Sequence, residues 1–390
     1  MRSAKLARKS LVGRIAAAGT VVGVLCAAAA CGDDPAPNAG PLSASGRADV
    51  QKALDSAVAA GILGVQVVVT EHGREWTATS GVGDIATGAP FPPGAHVRIG
   101  SNTKAFVATV AMQLVTEGSV DLDAPIGHYL PSVVQGPGID GNRITVRNLM
   151  QHTSGLPEYL ELPELQDDSE DALTKHFDTA DLVRHVMTYP AHFEPGAKAE
   201  YSNTNYLLVG MLVEKVTGHT VADEVTRRIT APLGLHETYF PAPGDTDLRA
   251  PHPQGYEQVD GKPLDVTRLD PSWAGSAGEL ISTAADTNRF FTALLTESLL
   301  PPTQLATMRA NPQPLTNRPG YSYGLGLTTA PTPCGIQIWG HGGSIPGFST
   351  FNAVTPTGRA VTLIANLRAS DPGPVEALQK AFDTTLCAAD

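Results

Sequence analysis

Strand-like segments lie near both ends of this chain, and few lie between them. Residues 63–70 form an apolar, valine-rich run, and residues 76–80 return after a His-Gly turn, so the two runs predict a hairpin. Further strand-like runs occupy residues 335–340, 349–354 and 360–365. We therefore expect one antiparallel sheet built from both ends of the chain and flanked by helices, with an all-helical region at about 122–270 inserted between the ends.

One predicted helix covers residues 101–117 and ends at Gly118. Apolar side chains occupy most of its faces, which predicts that this helix is buried. The other predicted helices cover residues 47–60, 179–188, 205–217, 221–229, 283–296 and 374–386. We expect a functional site in a cleft between the sheet and the helical region.

The first 30 residues predict export. Five basic and no acidic residues in the first 14 precede an Ala-rich apolar stretch at 15–30, which is shorter than the roughly 20 residues that cross a bilayer. Cys31 follows in a sequence that resembles a bacterial lipoprotein processing site, with Ala28 where leucine is usual. Lipid attachment at Cys31 is expected, and cleavage with release is the alternative. Residues 31–45 predict a flexible linker and 46–390 an extracytoplasmic domain, either secreted or anchored to the outer face of the cell membrane.

Charge and cysteine spacing exclude nucleic acids and metal ions as partners. Without residues 1–30 the chain has 22 Lys and Arg against 39 Asp and Glu, a formal net charge of −17. No Cys or His residues have the spacing of a metal site, and neither a metal nor an organic cofactor is expected. An oxidising compartment favours a disulfide between Cys334 and Cys387, with two separate buried thiols as the alternative.

The predicted buried helix begins with Ser101-Asn102-Thr103-Lys104. A serine hydroxyl is a poor nucleophile, so acyl transfer requires a neighbouring base and hydrogen-bond donors for the developing oxyanion. Residues three apart share one face of a helix, which places Lys104 beside Ser101. A single Ser-x-x-Lys is weak evidence, because a chain of this length contains roughly one by chance.

Two further motifs follow in the sequence, Tyr201-Ser202-Asn203 and His341-Gly342-Gly343-Ser344. In this order and spacing the three motifs resemble those of the penicillin-recognising serine hydrolases, which include class C β-lactamases, serine D-alanyl-D-alanine carboxypeptidases and related esterases. The resemblance extends from about Ser45 to Cys387. It implies a β-lactamase-like fold and a disulfide between Cys334 and Cys387.

The resemblance also implies catalytic roles. Ser101 would attack the acyl carbonyl, Lys104 would hold the proton network, and Tyr201 would serve as general base and then as acid to the leaving amine. Whether Lys104 or Tyr201 is the working base stays open at this stage, because the two titrations are coupled. His341 stands where many relatives have lysine, facing Tyr201.

Substrate-binding roles follow from the same resemblance. Asn203 would bind the substrate amide, and the backbone N–H groups of Ser101 and Ser344 would form the oxyanion hole. Gly342 and Gly343 would let the substrate lie along the strand. Trp273 would line the cleft; the alternative is that its side chain packs in the core.

The sequence departs from the family at the site that binds a peptide carboxylate. Thr328 occupies the position of the arginine that the carboxypeptidases use, and Arg368 is a candidate replacement. Lys-Thr-Gly and Ser-Asp-Asn are absent, which favours slow acylation by penicillins over efficient β-lactamase action. We expect a D-alanyl-D-alanine carboxypeptidase that acts on cell-wall peptides. An esterase or amidase of small acyl substrates, a β-lactamase and a non-catalytic surface interaction module are the alternatives.

Overall fold

The computed structural model describes residues 41–166, 170–296 and 298–389. The predicted signal peptide, Cys31 and residues 31–40 of the predicted linker lie outside these ranges. Residues 41–45, also assigned to the linker, are part of the folded domain. Leu42 is buried, and the Ser43 side chain accepts a hydrogen bond from the backbone N–H of Gly46 at 3.0 Å. The linker prediction extends too far because one buried leucine anchors a segment whose composition otherwise resembles a linker.

The strands are short in the middle of the chain and longer at its ends. They are β1 (Gly64–Glu71), β2 (Arg74–Gly81), β3 (Val97–Arg98), β4 (Gln135–Gly136), β5 (Ile139–Asp140), β6 (Tyr256–Val259), β7 (Lys262–Asp265), β8 (Ile281–Ser282), β9 (Gln313–Pro314), β10 (Ser322–Tyr323), β11 (Thr328–Pro331), β12 (Gln337–Ile345), β13 (Phe348–Val354) and β14 (Ala360–Ala365).

The helices occupy the middle of the chain and both of its ends. They are α1 (Ala44–Ala59), α2 (Thr103–Thr116), α3 (Ile126–Tyr129), α4 (Val146–Met150), α5 (Glu170–Leu173), α6 (Thr179–Val186), α7 (Thr204–Thr217), α8 (Val221–Val225), α9 (Ala231–Leu233), α10 (Gly275–Gly278), α11 (Ala284–Leu295), α12 (Pro302–Arg309) and α13 (Pro372–Leu386). Among the described helices, none has both the length and the apolar character of a membrane-spanning segment.

Eight strands form one antiparallel sheet in the order β2-β1-β14-β13-β12-β11-β10-β9. The N-terminal hairpin joins the C-terminal strands through β1 and β14, with Val65 opposite Ala365. The predicted sheet built from both ends of the chain is therefore confirmed. Short two-stranded pairs, β4 with β5 and β6 with β7, interrupt the helical region.

Helices cover both faces of the sheet, which explains why β1 is apolar without alternation. Val67 packs in a cluster with Leu54 of α1 and Leu378 of α13. Val68, which points the other way, packs in the larger cluster that contains α2 and α11. Burial on both faces favours the continuous valine run that marked this strand in the sequence.

The strands at one end of the sheet were not predicted from the sequence. Strands β9, β10 and β11 are short and polar or proline-containing, so they carry little apolar pattern. Strand β12 was predicted to end at residue 340, but it continues to Ile345 because its glycines and His341 adopt strand geometry without an apolar signal. The helix predicted over 221–229 also differs, since α8 ends at Val225 and a π-helical turn, Thr226–Thr230, follows.

Candidate active site

Ser101 lies in a 3₁₀ turn, Gly100–Asn102, immediately before α2. Lys104, one helical turn later, is fully buried, and its Nζ is 3.0 Å from Ser101 Oγ. The same Nζ contacts Asn203 Oδ1 and the backbone oxygen of Ala277, both at 2.7 Å. These contacts bring together α2, the residue before α7, and α10, so the lysine occupies the junction between the helical region and the nucleophile.

Burial lowers the pKa of Lys104 well below its ordinary value; Glu158 opposes this shift, and Arg318 adds to it. A neutral amine has two N–H donors and one lone pair. Asn203 Oδ1 and the Ala277 carbonyl can only accept, so they take the two N–H groups and leave the lone pair for the Ser101 hydroxyl. This arrangement suits Lys104 to remove the proton of Ser101.

Tyr201 is buried beside this pair, with Lys104 Nζ 5.0 Å from the centre of its ring. Burial raises the pKa of Tyr201 to about 12, although Arg318 and the Ser101 hydroxyl favour the phenolate. Tyr201 Oη makes no hydrogen bond of normal geometry with the described residues. The phenol is therefore protonated near neutral pH and lies beside Ser101 without a hydrogen bond of normal geometry to hold its proton, as a proton donor to substrate requires.

Glu158, which the sequence analysis missed, fixes the orientation of Asn203. Its Oε2 accepts both the Asn203 side-chain Nδ2–H at 2.9 Å and the Asn203 backbone N–H at 2.8 Å. Because Nδ2 faces this carboxylate, Oδ1 faces Lys104. Asn203 thus binds two protein groups here, and its predicted contact with the substrate amide stays a prediction. A lone acid after a Leu-Pro pair offered no sequence signal for this role.

Strand β12 forms one wall of the site. It pairs with β11 only as far as Gly340 but with β13 as far as Ile345, so one edge of residues 341–345 is free for a substrate strand. The strand also approaches the nucleophile closely, since a Cβ on Gly343 would lie 2.0 Å from the backbone oxygen of Ile99. A Cβ on Gly100 would likewise lie 3.0 Å from the backbone nitrogen of Ser344, so only glycine permits this approach.

His341 of β12 is buried beside Tyr201, with 6.4 Å between ring centres. Burial lowers the pKa of His341 to about 3. A second histidine, His152, which belongs to none of the three sequence motifs, lies against Tyr201 with 4.2 Å between ring centres. Burial lowers the pKa of His152 well below its ordinary value, so two neutral imidazoles support the phenol.

A cavity of about 760 Å³ opens at Ser101 and contains most of the predicted site residues. Its described lining includes Ser101, Tyr201, Asn203, Trp273, His341, Gly343, Ser344 and Arg368. Trp273 is half-buried, so it lines the cleft and also packs against the core. Arg318, which no sequence motif marks, lines the same cavity.

The position that departs from the family pattern is uncharged in the structure. Thr328 lies on β11 and donates its hydroxyl hydrogen to the Gly340 carbonyl at 3.0 Å. Arg368, the candidate replacement, is at the rim of the cavity, with its Nε 2.7 Å from Glu257 Oε1. The predicted role of Arg368 in carboxylate binding therefore competes with an existing ion pair.

A disulfide joins Cys334 and Cys387, with 6.0 Å between their Cα atoms. The predicted bridge is therefore confirmed. It links the turn before β12 to the C-terminal end of α13, so it fixes the strand that carries His341 to the helix on the outer face of the sheet.

Comparison with known proteins agrees with this geometry. The family model described as Beta-lactamase matches residues 50–385. The chain belongs to the beta-lactamase family. The resemblance inferred from the three motifs is thereby confirmed, and the eight-stranded antiparallel sheet with flanking helices is the β-lactamase-like fold.

Solved structures in the comparison include hydrolases of D-amino acid derivatives. A D-stereospecific amidohydrolase from Streptomyces sp. is 36% identical, with a TM-score of 0.80 over 87% of this chain and 98% of that chain. The D-amino acid amidase from Ochrobactrum anthropi SV3, complexed with L-phenylalanine amide, is 29% identical, with a TM-score of 0.77 over the same shares.

Among curated proteins, Protein flp of Staphylococcus aureus (strain MW2) is 28% identical over 206 residues. This alignment covers 52% of the present chain but only 39% of Protein flp. The chain therefore spans well under two thirds of that relative. The similarity of this beta-lactamase-family serine hydrolase to Protein flp applies only to the shared region.

Proposed function

We propose that this beta-lactamase-family serine hydrolase is a D-stereospecific amidohydrolase that forms an acyl-enzyme on Ser101 and cleaves D-alanyl-D-alanine-type peptides. The observation that carries the proposal is the contact of a buried Lys104 Nζ with Ser101 Oγ at 3.0 Å, beside a protonated Tyr201. The similarity to D-stereospecific and D-amino acid amide hydrolases supports the substrate class.

The first half of the reaction forms the acyl-enzyme. Neutral Lys104 accepts the Ser101 proton as Oγ attacks the amide carbon, and the carbonyl oxygen becomes an oxyanion that the N–H groups of Ser101 and Ser344 stabilise. Tyr201 then gives its proton to the leaving nitrogen while the C–N bond breaks, and the Lys104 ammonium returns a proton to Tyr201. The amine leaves, and the acyl group stays on Ser101 Oγ as an ester.

The second half hydrolyses this ester. A water molecule attacks the ester carbon and gives a proton to Lys104, and this proton passes back to Ser101 Oγ as the carboxylic acid leaves. The opposite pKa shifts of Lys104 and Tyr201 favour this assignment, with Lys104 as the base and Tyr201 as the acid. It replaces the role of general base in acylation that the family resemblance gave to Tyr201.

A parallel assay tests the proposal. The substrates are D- and L-phenylalanine amide, diacetyl-L-Lys-D-Ala-D-Ala, a p-nitrophenyl ester and a chromogenic cephalosporin, with Ser101→Ala as the control. We expect turnover of the D-amide about tenfold or more faster than of the L-amide, release of D-alanine from the peptide, and no activity in the control. Penicillin labelling followed by mass spectrometry is expected to place the adduct on Ser101.

Other outcomes would contradict the proposal in separate ways. Turnover of the ester alone would favour the esterase alternative, and rapid cephalosporin hydrolysis would favour the β-lactamase alternative. Equal rates on the D- and L-amides would show that the enzyme is not stereospecific. Activity that survives in Ser101→Ala would refute the mechanism.

We also propose that the mature domain works outside the cytoplasm, and the disulfide supports this because such bonds persist in oxidising compartments. Mass spectrometry of protein from expressing cells is expected to give a lipidated N-terminal Cys31. Cys31→Ser is expected to change the processing and to release the domain from the membrane fraction. An unprocessed cytoplasmic chain would contradict the proposal.

A further inference from the structure

Arg318 lies on the catalytic tyrosine. Its Cζ is 4.0 Å from the centre of the Tyr201 ring, and its side chain is exposed to solvent in the cavity that contains Ser101. Within the part of the chain that the structure describes, the guanidinium makes no hydrogen bond and no ion pair. Stacking occupies the face of a guanidinium, while its N–H donors point outward in the plane, so these donors stay available.

The loop that carries Arg318 is fixed to Tyr201 through the backbone. Asn317 Oδ1 accepts the Tyr201 N–H at 2.9 Å, and Asn317 Nδ2 donates to the Tyr201 carbonyl at 3.0 Å. The Thr316 N–H donates to the Ala199 carbonyl at 2.9 Å. These contacts hold residues 315–318 beside residues 199–201, so Arg318 is positioned before any substrate arrives.

Arg318 and Arg368 are the two cations among the described residues that line this cavity. Arg368 is already paired with Glu257, and Thr328 contributes no charge. Arg318 is therefore the lining cation that can receive an anion without breaking an ion pair. An unpaired charge held beside reacting groups gives affinity for a ligand of opposite charge.

The surroundings of Arg318 have different charges on its two sides. A smaller cavity of about 260 Å³ shares Tyr201 and Arg318 with the main cavity and is lined by Glu158, Glu161 and Glu200. Glu200 is paired with His192 and Lys198, so Glu158 and Glu161 are the acids that disfavour an anion on that side. The described lining of the main cavity contains one acid, Asp383. Near Tyr201, the favourable place for an anion is thus the main cavity, where the substrate reacts.

We propose that Arg318 forms the anion subsite of this cleft and binds the carboxylate of the leaving group. This inference rests on the proposed function and narrows it. Tyr201 protonates the leaving nitrogen, so the leaving group lies against the ring on which Arg318 is stacked. In a C-terminal amino acid only the Cα atom separates the carboxylate from that nitrogen, so the carboxylate lies beside Arg318. The preferred leaving group is therefore an amino acid rather than ammonia, and the subsite comes from the 315–318 loop rather than from position 328.

A matched pair of esters tests the subsite without requiring peptide cleavage. The pair consists of the phenyl and 3-carboxyphenyl esters of one N-acyl-D-alanine, which differ by one carboxylate on the leaving group. We expect Arg318→Gln to lower the ratio of kcat/KM for the carboxylated ester to kcat/KM for the phenyl ester about 10- to 100-fold. The ratio is the readout because any effect of Arg318 on Lys104 or Tyr201 acts on both esters. Arg318→Lys is expected to keep part of the preference, and added salt to weaken it in the wild type. Arg184→Gln, which removes an exposed charge on α6, is the control for net charge.

The outcomes separate the inference from the proposed function. An equal loss on both esters would mean that Arg318 acts only through Tyr201, and no loss on either would mean that it binds no anion. Loss of the preference in Arg368→Gln, with Arg318→Gln unaffected, would assign the subsite to Arg368. Each of these results overturns the inference while leaving the hydrolase intact. No turnover of either ester by the wild type would refute the proposed function itself.

Discussion

Tyr323 Oη lies 2.9 Å from Nε2 of His341, and the contacts of the two ring nitrogens together determine the tautomer of the imidazole. The other ring nitrogen, Nδ1, is 2.6 Å from the Gly342 carbonyl oxygen, which can only accept. Nδ1 therefore carries the hydrogen, and Nε2 accepts from Tyr323. Both nitrogens of His341 are occupied, so the residue that replaces the lysine of many relatives is a neutral support for Tyr201 rather than a free proton donor.

Tyr323→Phe is expected to lower the free energy of unfolding by about 1–3 kcal/mol, because it leaves the buried Nε2 of His341 without a donor. Urea unfolding followed by fluorescence measures the change. Tyr189→Phe is the matched control, since Tyr189 is 39% exposed and its hydroxyl can bind water. Equal effects of the two substitutions would contradict the importance of this hydrogen bond.

Neutral His341 predicts a loss of stability in acid. Its pKa is about 3 when folded and near 6.5 when unfolded, so below pH 6.5 protons bind the unfolded chain preferentially. Between pH 7.5 and 5.0 this one group is expected to lower the free energy of unfolding by about 2 kcal/mol. In His341→Gln the drop over this range should be smaller by that amount. Substitution of the exposed His219 by glutamine should leave the drop unchanged, and the same drop in all three proteins would refute the assignment.

Tyr201→Phe is expected to impair amides far more than activated esters. An amide nitrogen must be protonated as it leaves, whereas p-nitrophenolate leaves without a proton. We expect kcat to fall about 10²- to 10⁴-fold on D-phenylalanine amide and less than about tenfold on the p-nitrophenyl ester. An equal loss on both substrates would show that Tyr201 is not the acid for the leaving group.

Lys104 sets the expected acid limb of the pH profile. Because its pKa is lowered, Lys104 becomes the neutral base well below pH 10. The value of kcat/KM on an amide should therefore rise as the pH passes this lowered pKa, and then stay level. The level region should persist toward pH 12, where Tyr201 ionises. Lys104→Arg, which stays charged, should lose at least about a hundredfold in kcat/KM. A profile that rises only near pH 10 would show that burial does not perturb Lys104.

The disulfide is expected to contribute up to about 4 kcal/mol to the free energy of unfolding, from the chain entropy of the loop between Cys334 and Cys387. The double substitution Cys334→Ser with Cys387→Ser, compared with the oxidised wild type in urea, measures this contribution. A reducing agent should lower the stability of the wild type and not that of the double variant. No difference between the two proteins would mean that native packing alone holds β12 and α13 together.

The parts of the structure that could be predicted from the sequence are those with local patterns. The valine run of β1 and the apolar residues on most faces of α2 predicted these two elements. Ser101 and Lys104 are close enough in sequence to be placed on one face of a helix. Glu158, Arg318 and Tyr323 were missed because each acts through a partner distant in the chain: Asn203, Tyr201 and His341, respectively. A polar residue with a long-range partner leaves no periodic signal.

The pairing of β1 with β14 joins residues about 300 positions apart, with Val65 opposite Ala365. Pairings of such long range form slowly, since the loop must close before the contact stabilises anything. Strand β12, which completes the cleft, is also synthesised long after Ser101. A growing or unfinished polypeptide therefore carries Ser101 and Lys104 without the wall that makes them reactive. The order of the strands thus delays activity until β12 has been synthesised and has joined the sheet.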